Sequence, residues 1–138
     1  MPLCHGTCVD WGGRGVLLLG PSGSGKSDLA LRLIDAGAVL VADDQTELSE
    51  DGVASAPERL RGLLEVRGVG ILRFPYVEKT KIALTVRLAP ANEVERLPDT
   101  IENGEMTLFP FENSAVLKIK SALQVVSGEK SLIFQTDS

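Results

Sequence analysis

The chain has 138 residues, 43% of them hydrophobic and 24% charged, an ordinary globular composition for one domain that argues against disorder. Its 14 Lys and Arg against 19 Asp and Glu give a formal charge of −5. A nucleic-acid backbone is therefore a poor partner, whereas a phosphorylated small ligand needs only a local positive site. No apolar run reaches the ~20 residues needed to cross a bilayer, and MPLCHGTCVD lacks the basic flank and apolar core of a secretory signal, so the expected setting is cytoplasmic.

Thr7 to Asp10 reads as a strand, and Gly12-Gly13 as a tight turn into the next one. Gly15 to Leu19 is a short apolar run, the pattern of a strand buried on both faces. After GPSGSGKS, Asp28 to Ala36 has the mixed periodicity of a helix packed on a sheet, with Gly37 as its stop. Ala38 to Ala42 is a second buried strand running into Asp43-Asp44. Strand, loop, helix and strand together have the size of a right-handed βαβ crossover, about 30 residues.

Further on, Glu47-Leu48 and Val53-Ala54 flank a turn and predict a hairpin. Leu63 to Val66 and Ile71-Leu72 bracket a Gly68-x-Gly70 break. Lys81 to Leu88 alternates polar and apolar residues, as a half-exposed strand does. Pro90 to Thr100 is polar, a loop or short helix; Met106 to Phe109 is the last strand. Ala115 to Val126 carries a helical apolar period that closes the domain. The tail from Gly128 to Ser138 is expected to fray, or to dock only through Leu132, Ile133 and Phe134. The whole chain, 1–138, reads as a single α/β domain with a central sheet.

Gly20-Pro21-Ser22-Gly23-Ser24-Gly25-Lys26-Ser27 matches the phosphate-binding pattern G-x4-G-K-[ST] in full, between a buried strand and a helix. Such a loop wraps polyphosphate with backbone N–H groups and aims a helix N-terminus at it. Lys26 then reaches the terminal phosphates and the Ser27 hydroxyl ligates Mg²⁺, so ATP and Mg²⁺ are the expected ligands. Asp43 and Asp44 end the next strand; if that strand neighbours the one before the loop, their carboxylates stand beside the phosphates. Either could take a proton from an attacking hydroxyl or hold the metal through water. Cys4, Cys8 and the lone His5 cannot supply the four ligands of a structural zinc, and the cysteines read as free thiols.

His5-Gly6, the GPSGSGKS loop, Val41-Ala42-Asp43-Asp44 and Leu63 to Ile71 (LLEVRGVGI) occur in the order seen in the HPr kinase/phosphorylase family. Together they resemble its C-terminal catalytic domain over most of the chain. The last segment is close to the family's own signature, whereas phosphate loops are shared by many enzymes. The separate N-terminal domain of longer members has no counterpart, which resembles the short, single-domain form of some proteobacteria.

The resemblance implies ATP-dependent phosphorylation of a serine on HPr or an HPr-like phosphocarrier of a phosphotransferase system. It implies that Lys26 binds phosphate, that Ser27 and Glu65 bind Mg²⁺, and that Asp44 takes the acceptor serine's proton with help from His5. Arg96 matches an active-site arginine. One stretch departs from the family: Phe109 to Ser114 stands where longer members carry a Pro-Gly-Arg-Asn-like segment associated with dephosphorylation. With Glu112 near that missing arginine, kinase activity with weak phosphorolysis is expected. The alternatives are a small-molecule phosphate-loop kinase, which usually needs an arginine-rich lid not evident here, and a non-enzymatic nucleotide switch. The oligomeric state is left open.

Overall fold

The structure, a computed structural model, describes residues 2–133. Strands β1 (Leu3–Cys4), β2 (Gly6–Trp11) and β3 (Arg14–Leu19) open the chain. Gly12 and Gly13, both at positive φ, make the turn that folds β2 onto β3. Helix α1 (Lys26–Asp35) begins directly on the GKS lysine. It ends as the Gly37 φ of 117° allows, with Gly37 N–H bonding Ile34 O and Ala38 N–H bonding Leu33 O, both at 3.0 Å. Strands β4 (Val39–Ala42), β5 (Thr46–Leu48), β6 (Val53–Ser55), β7 (Leu63–Val66), β8 (Gly70–Arg73), β9 (Lys79–Leu88) and β10 (Glu105–Leu108) follow. Helix α2 (Ala115–Val126) comes last, at the predicted bounds. The polar stretch after β9 holds a single 3₁₀ turn, Ala91–Glu93.

The main sheet runs β1-β5-β6-β9-β3-β2-β4, with β10 also on β9, while β7 and β8 form a separate hairpin. The crossover is therefore wider than expected. β3 and β4 are not neighbours, because β2 lies between them and is antiparallel to both. The reason is local: β2 reaches β3 through a two-glycine turn and pairs along its full length, Gly6 with Leu19 through Trp11 with Arg14. That edge of β3 is already taken when α1 returns the chain, so β4 adds outside β2. The net direction survives. β4, β3, β9 and β10 all run parallel to one another, and their carboxyl ends share one edge of the sheet.

Side chains alternate across this sheet as a period of two requires. Val9, Val16, Leu18, Leu40, Leu84 and Val86 face α1 (Leu29, Leu33) and α2 (Ile119, Leu123) in the larger core. Cys8, Leu17, Val41, Ala42, Ala54 and Ala56 form a smaller cluster of mostly short side chains. β9 links the two halves of the sheet: Lys79 to Lys81 pair with β6, and the residues from Ile82 on pair with β3. Among the described residues no helix is long and apolar enough to cross a membrane. Leu132 and Ile133 line an apolar cleft with α2, while residues 134–138 of the expected tail, Phe134 among them, lie outside the described residues.

Both cysteines are free thiols, Cys4 half-buried and Cys8 buried. Desolvation, reinforced by Asp10, pushes the Cys8 thiol far above its ordinary pKa of 9.0. The unfolded chain releases this proton near that value and the folded chain does not. Cys8 therefore favours the fold fully below about pH 9 and progressively less above it. A disulfide-exchange thiol reagent at pH 8 should titrate one thiol on the native protein, Cys4, and the second only after denaturation. Rapid reaction of both in the native state would contradict the burial of β2.

Candidate active site

The loop from Gly20 to Gly25 joins β3 to α1 with Gly23 and Gly25 in the left-handed region, at φ 82° and 101°. Gly25 is required twice over. Its φ disfavours any side chain, and a Cβ there would stand 3.0 Å from the Phe111 ring. Lys26 is buried, and its ammonium donates to Gly20 O at 2.6 Å and Pro21 O at 3.0 Å, so its charge lies across the loop. The first backbone N–H groups of α1 point into the same space and favour an anion there.

Although β2 separates β3 from β4, Asp43 reaches the loop. Its Oδ1 accepts the Ser27 hydroxyl at 2.7 Å and the Thr7 hydroxyl at 2.9 Å, and its Oδ2 accepts Glu65 N–H at 3.1 Å. Asp44 does the opposite. It is the one non-glycine residue at positive φ (70°) among those described, in a tight turn closed by Gln45 N–H to Asp43 O at 2.7 Å. Asp and Asn tolerate this region better than most residues. The kink turns the Asp44 carboxylate outward, where Oδ1 meets His5 Nε2 at 2.8 Å and the side chain stays 63% exposed. Thr7, fully buried, joins the two: its oxygen donates to Asp43 and accepts Asp44 N–H at 3.1 Å.

A cleft of about 520 Å³, within the usual size of a small-ligand site, lies over the loop. The loop and α1 form its floor, Asp44, Glu65 and Arg67 line it, and Phe111 contributes from the segment after β10. Lys26, Ser27, Asp44 and Glu65 thus share one cleft, with His5 bonded to Asp44. Arg96 is not among its lining residues. It lines a different cleft with Leu97, Pro98 and Leu117, so within this chain the arginine expected from the resemblance does not join the loop.

The expected role of Glu112 needs correction as well. Both its carboxylate oxygens accept from Lys118 Nζ at 2.8 Å, so its charge is matched locally and the cleft meets Phe111 instead. Sequence reasoning also passed over Thr7, Arg67 and Phe111 as site residues. Arg67 had a signal in its place beside Glu65, whereas Thr7 and Phe111 had none in spacing alone.

The donors around Ser27 fit Mg²⁺. A carboxylate, a hydroxyl and a second carboxylate across the cleft are hard oxygen ligands, and Mg²⁺ usually takes one or two carboxylates together with substrate phosphates. No cluster of three or more acidic, histidine or cysteine side chains offers an all-protein metal cage among the described residues.

A profile of the HPr Serine kinase C-terminal domain matches residues 2–131. The chain belongs to this family. The HPr kinase/phosphorylase of Bordetella pertussis is 44% identical to this family member over 138 aligned residues, covering 90% of the chain and 42% of the relative. That of Thermoanaerobacter sp. is 56% identical over 72 residues, covering 49% of the chain and 24% of the relative. The chain thus spans less than half the length of these curated relatives. The fold is that of the solved Hpr(Ser) kinase/phosphatase from Coxiella burnetii, with a TM-score of 0.77 at 24% identity, covering 94% of this chain and 92% of that one.

The buried Thr7 hydroxyl is the part of this site most open to a simple test. Thr7→Val keeps the shape but leaves Asp44 N–H without its acceptor and Asp43 without one donor. A loss of roughly 1–3 kcal/mol is expected by chemical denaturation, with Thr7→Ser recovering most of it. An unchanged Thr7→Val midpoint would contradict the bridging role.

Proposed function

We propose that this domain transfers the γ-phosphoryl group of ATP to a serine hydroxyl of HPr or an HPr-like phosphocarrier, in the cytoplasm. The observation that carries the reading is the Asp44–His5 contact at the edge of the phosphate-loop cleft. Oδ1 is engaged by the imidazole, which leaves Oδ2 to receive a proton. Family membership and the similarity to HPr kinase/phosphorylases support the substrate class. The exposure of Asp44 favours a protein acceptor over an enclosed small molecule.

In this reading Lys26 and the N–H groups of the loop hold the phosphates, and the acceptor serine lies between Asp44 and the γ-phosphorus. Asp44 takes the hydroxyl proton as the oxygen attacks in line, and His5 orients the carboxylate. Ser27 and Asp43, with Glu65 opposite, would hold Mg²⁺, which supplies neutralisation of the charge on the transferring group. Asp43 keeps Ser27 in place rather than moving a proton. Arg67 and Lys26 are the cationic side chains lining the cleft.

The test is incubation with labelled ATP, Mg²⁺ and purified phosphocarrier. Label should appear on a carrier serine, and Lys26→Ala should abolish it while the domain stays folded. Undiminished transfer by that variant, or labelling of small molecules only, would overturn the reading. The reverse direction is expected to be slow because Phe109 to Ser114, the stretch that stands where longer members carry the Pro-Gly-Arg-Asn-like segment, contributes no cation to the cleft. Release of pyrophosphate from serine-phosphorylated carrier and inorganic phosphate should be much slower than the forward reaction. Comparable rates would mean that Arg67 supplies the missing charge.

A further inference from the structure

The geometry points to Phe111 as the platform on which the nucleobase of the bound nucleotide stacks; this rests on the ATP-binding reading above. The argument begins with the order of strands. β4, β3 and β9–β10 are parallel, so Asp44 after β4, the phosphate loop after β3 and Phe111 after β10 all stand at the same edge of the sheet. Within that edge the loop lies between the other two, with Asp44 on the β4 flank and Phe111 on the β10 flank. A phosphoryl group transferred next to Asp44 must point to the β4 flank. The α-phosphate and nucleoside then leave the loop on the opposite flank, toward Phe111.

Phe111 is built to receive a flat apolar group there. Phe111 is 59% exposed although it is a large hydrophobe. The Cε1–Cζ edge lies against Gly25, and Phe109 meets the ring edge-to-face at 5.7 Å and 76°. The segment is tied down at both sides. Arg32 of α1 donates to Pro110 O, and Lys118 of α2 grips Glu112. Arg32 is itself held by Asp28 at 3.2 Å. An exposed aromatic ring on so fixed a segment, in the wall of the nucleotide cleft, is already placed for stacking, and stacking is tolerant of base identity because every base has a π-face.

Titration calorimetry with ATP and with inorganic tripolyphosphate, which has no base, tests this on the whole chain. Phe111→Ala should weaken ATP by about tenfold to a hundredfold and leave tripolyphosphate unchanged, and Phe111→Trp should keep ATP affinity. Thermal unfolding checks that each variant is folded. Equal loss for both ligands would overturn the proposal and make the ring a support for the loop. Unchanged ATP affinity would also overturn it and leave the exposed ring to the protein acceptor. Wild-type protein that binds neither probe would overturn the ATP reading itself, and this inference with it.

Discussion

One buried hydroxyl holds the candidate chemistry together. Thr7 lies in β2, has no exposed surface, and bonds the side chain of Asp43 and the main chain of Asp44 at once. A polar group with no access to water must find its partners inside the protein, so its position fixes theirs. Asp43 is drawn inward onto Ser27, and the tight turn at Asp44 sends the next carboxylate outward to His5. Two identical side chains, adjacent in the chain, thus acquire different environments. The inner one accepts three donors from the fold, and the outer one keeps an oxygen free.

This arrangement depends on β2 standing between β3 and β4. A direct βαβ neighbour pair would put Asp43 beside the loop with nothing between them. Here the intervening strand brings His5 and Thr7 to the carboxyl edge of a sheet whose other contributors run the opposite way. The antiparallel insertion thereby supplies two of the side chains at the site. It is held by the hairpin with β3 and by the larger core, in which Val9 packs with Val16, Leu18 and Leu40.

Much of this was legible in the sequence, and the parts that were not share a cause. The phosphate loop, both main helices and the hairpins carry local signals: glycine spacing, helical period and turn residues. The helix predicted over 28–36 begins at Lys26, because Lys26 and Ser27 belong both to the motif and to the first turn. The neighbour relation of β3 and β4 could not be read, since strand order is set by which edge is already occupied, and no local pattern records that. Thr7 looked like an ordinary strand residue because its importance lies in partners 36 and 37 positions away. Glu112 was legible as a charge but not as a paired one, since its partner Lys118 depends on how α2 turns. Arg96 matched by resemblance, yet the described chain carries it to another cleft.

The division of labour between the two aspartates is the central claim, and calorimetry of ATP binding with and without Mg²⁺ tests it most directly. Asp43→Asn should lose most of the Mg²⁺-dependent gain in ATP affinity. Asp44→Asn should keep that gain while phosphoryl transfer falls by about a hundredfold or more. If Asp44→Asn lost the metal-dependent gain and Asp43→Asn retained it, the roles assigned to the inner and outer carboxylates would be reversed.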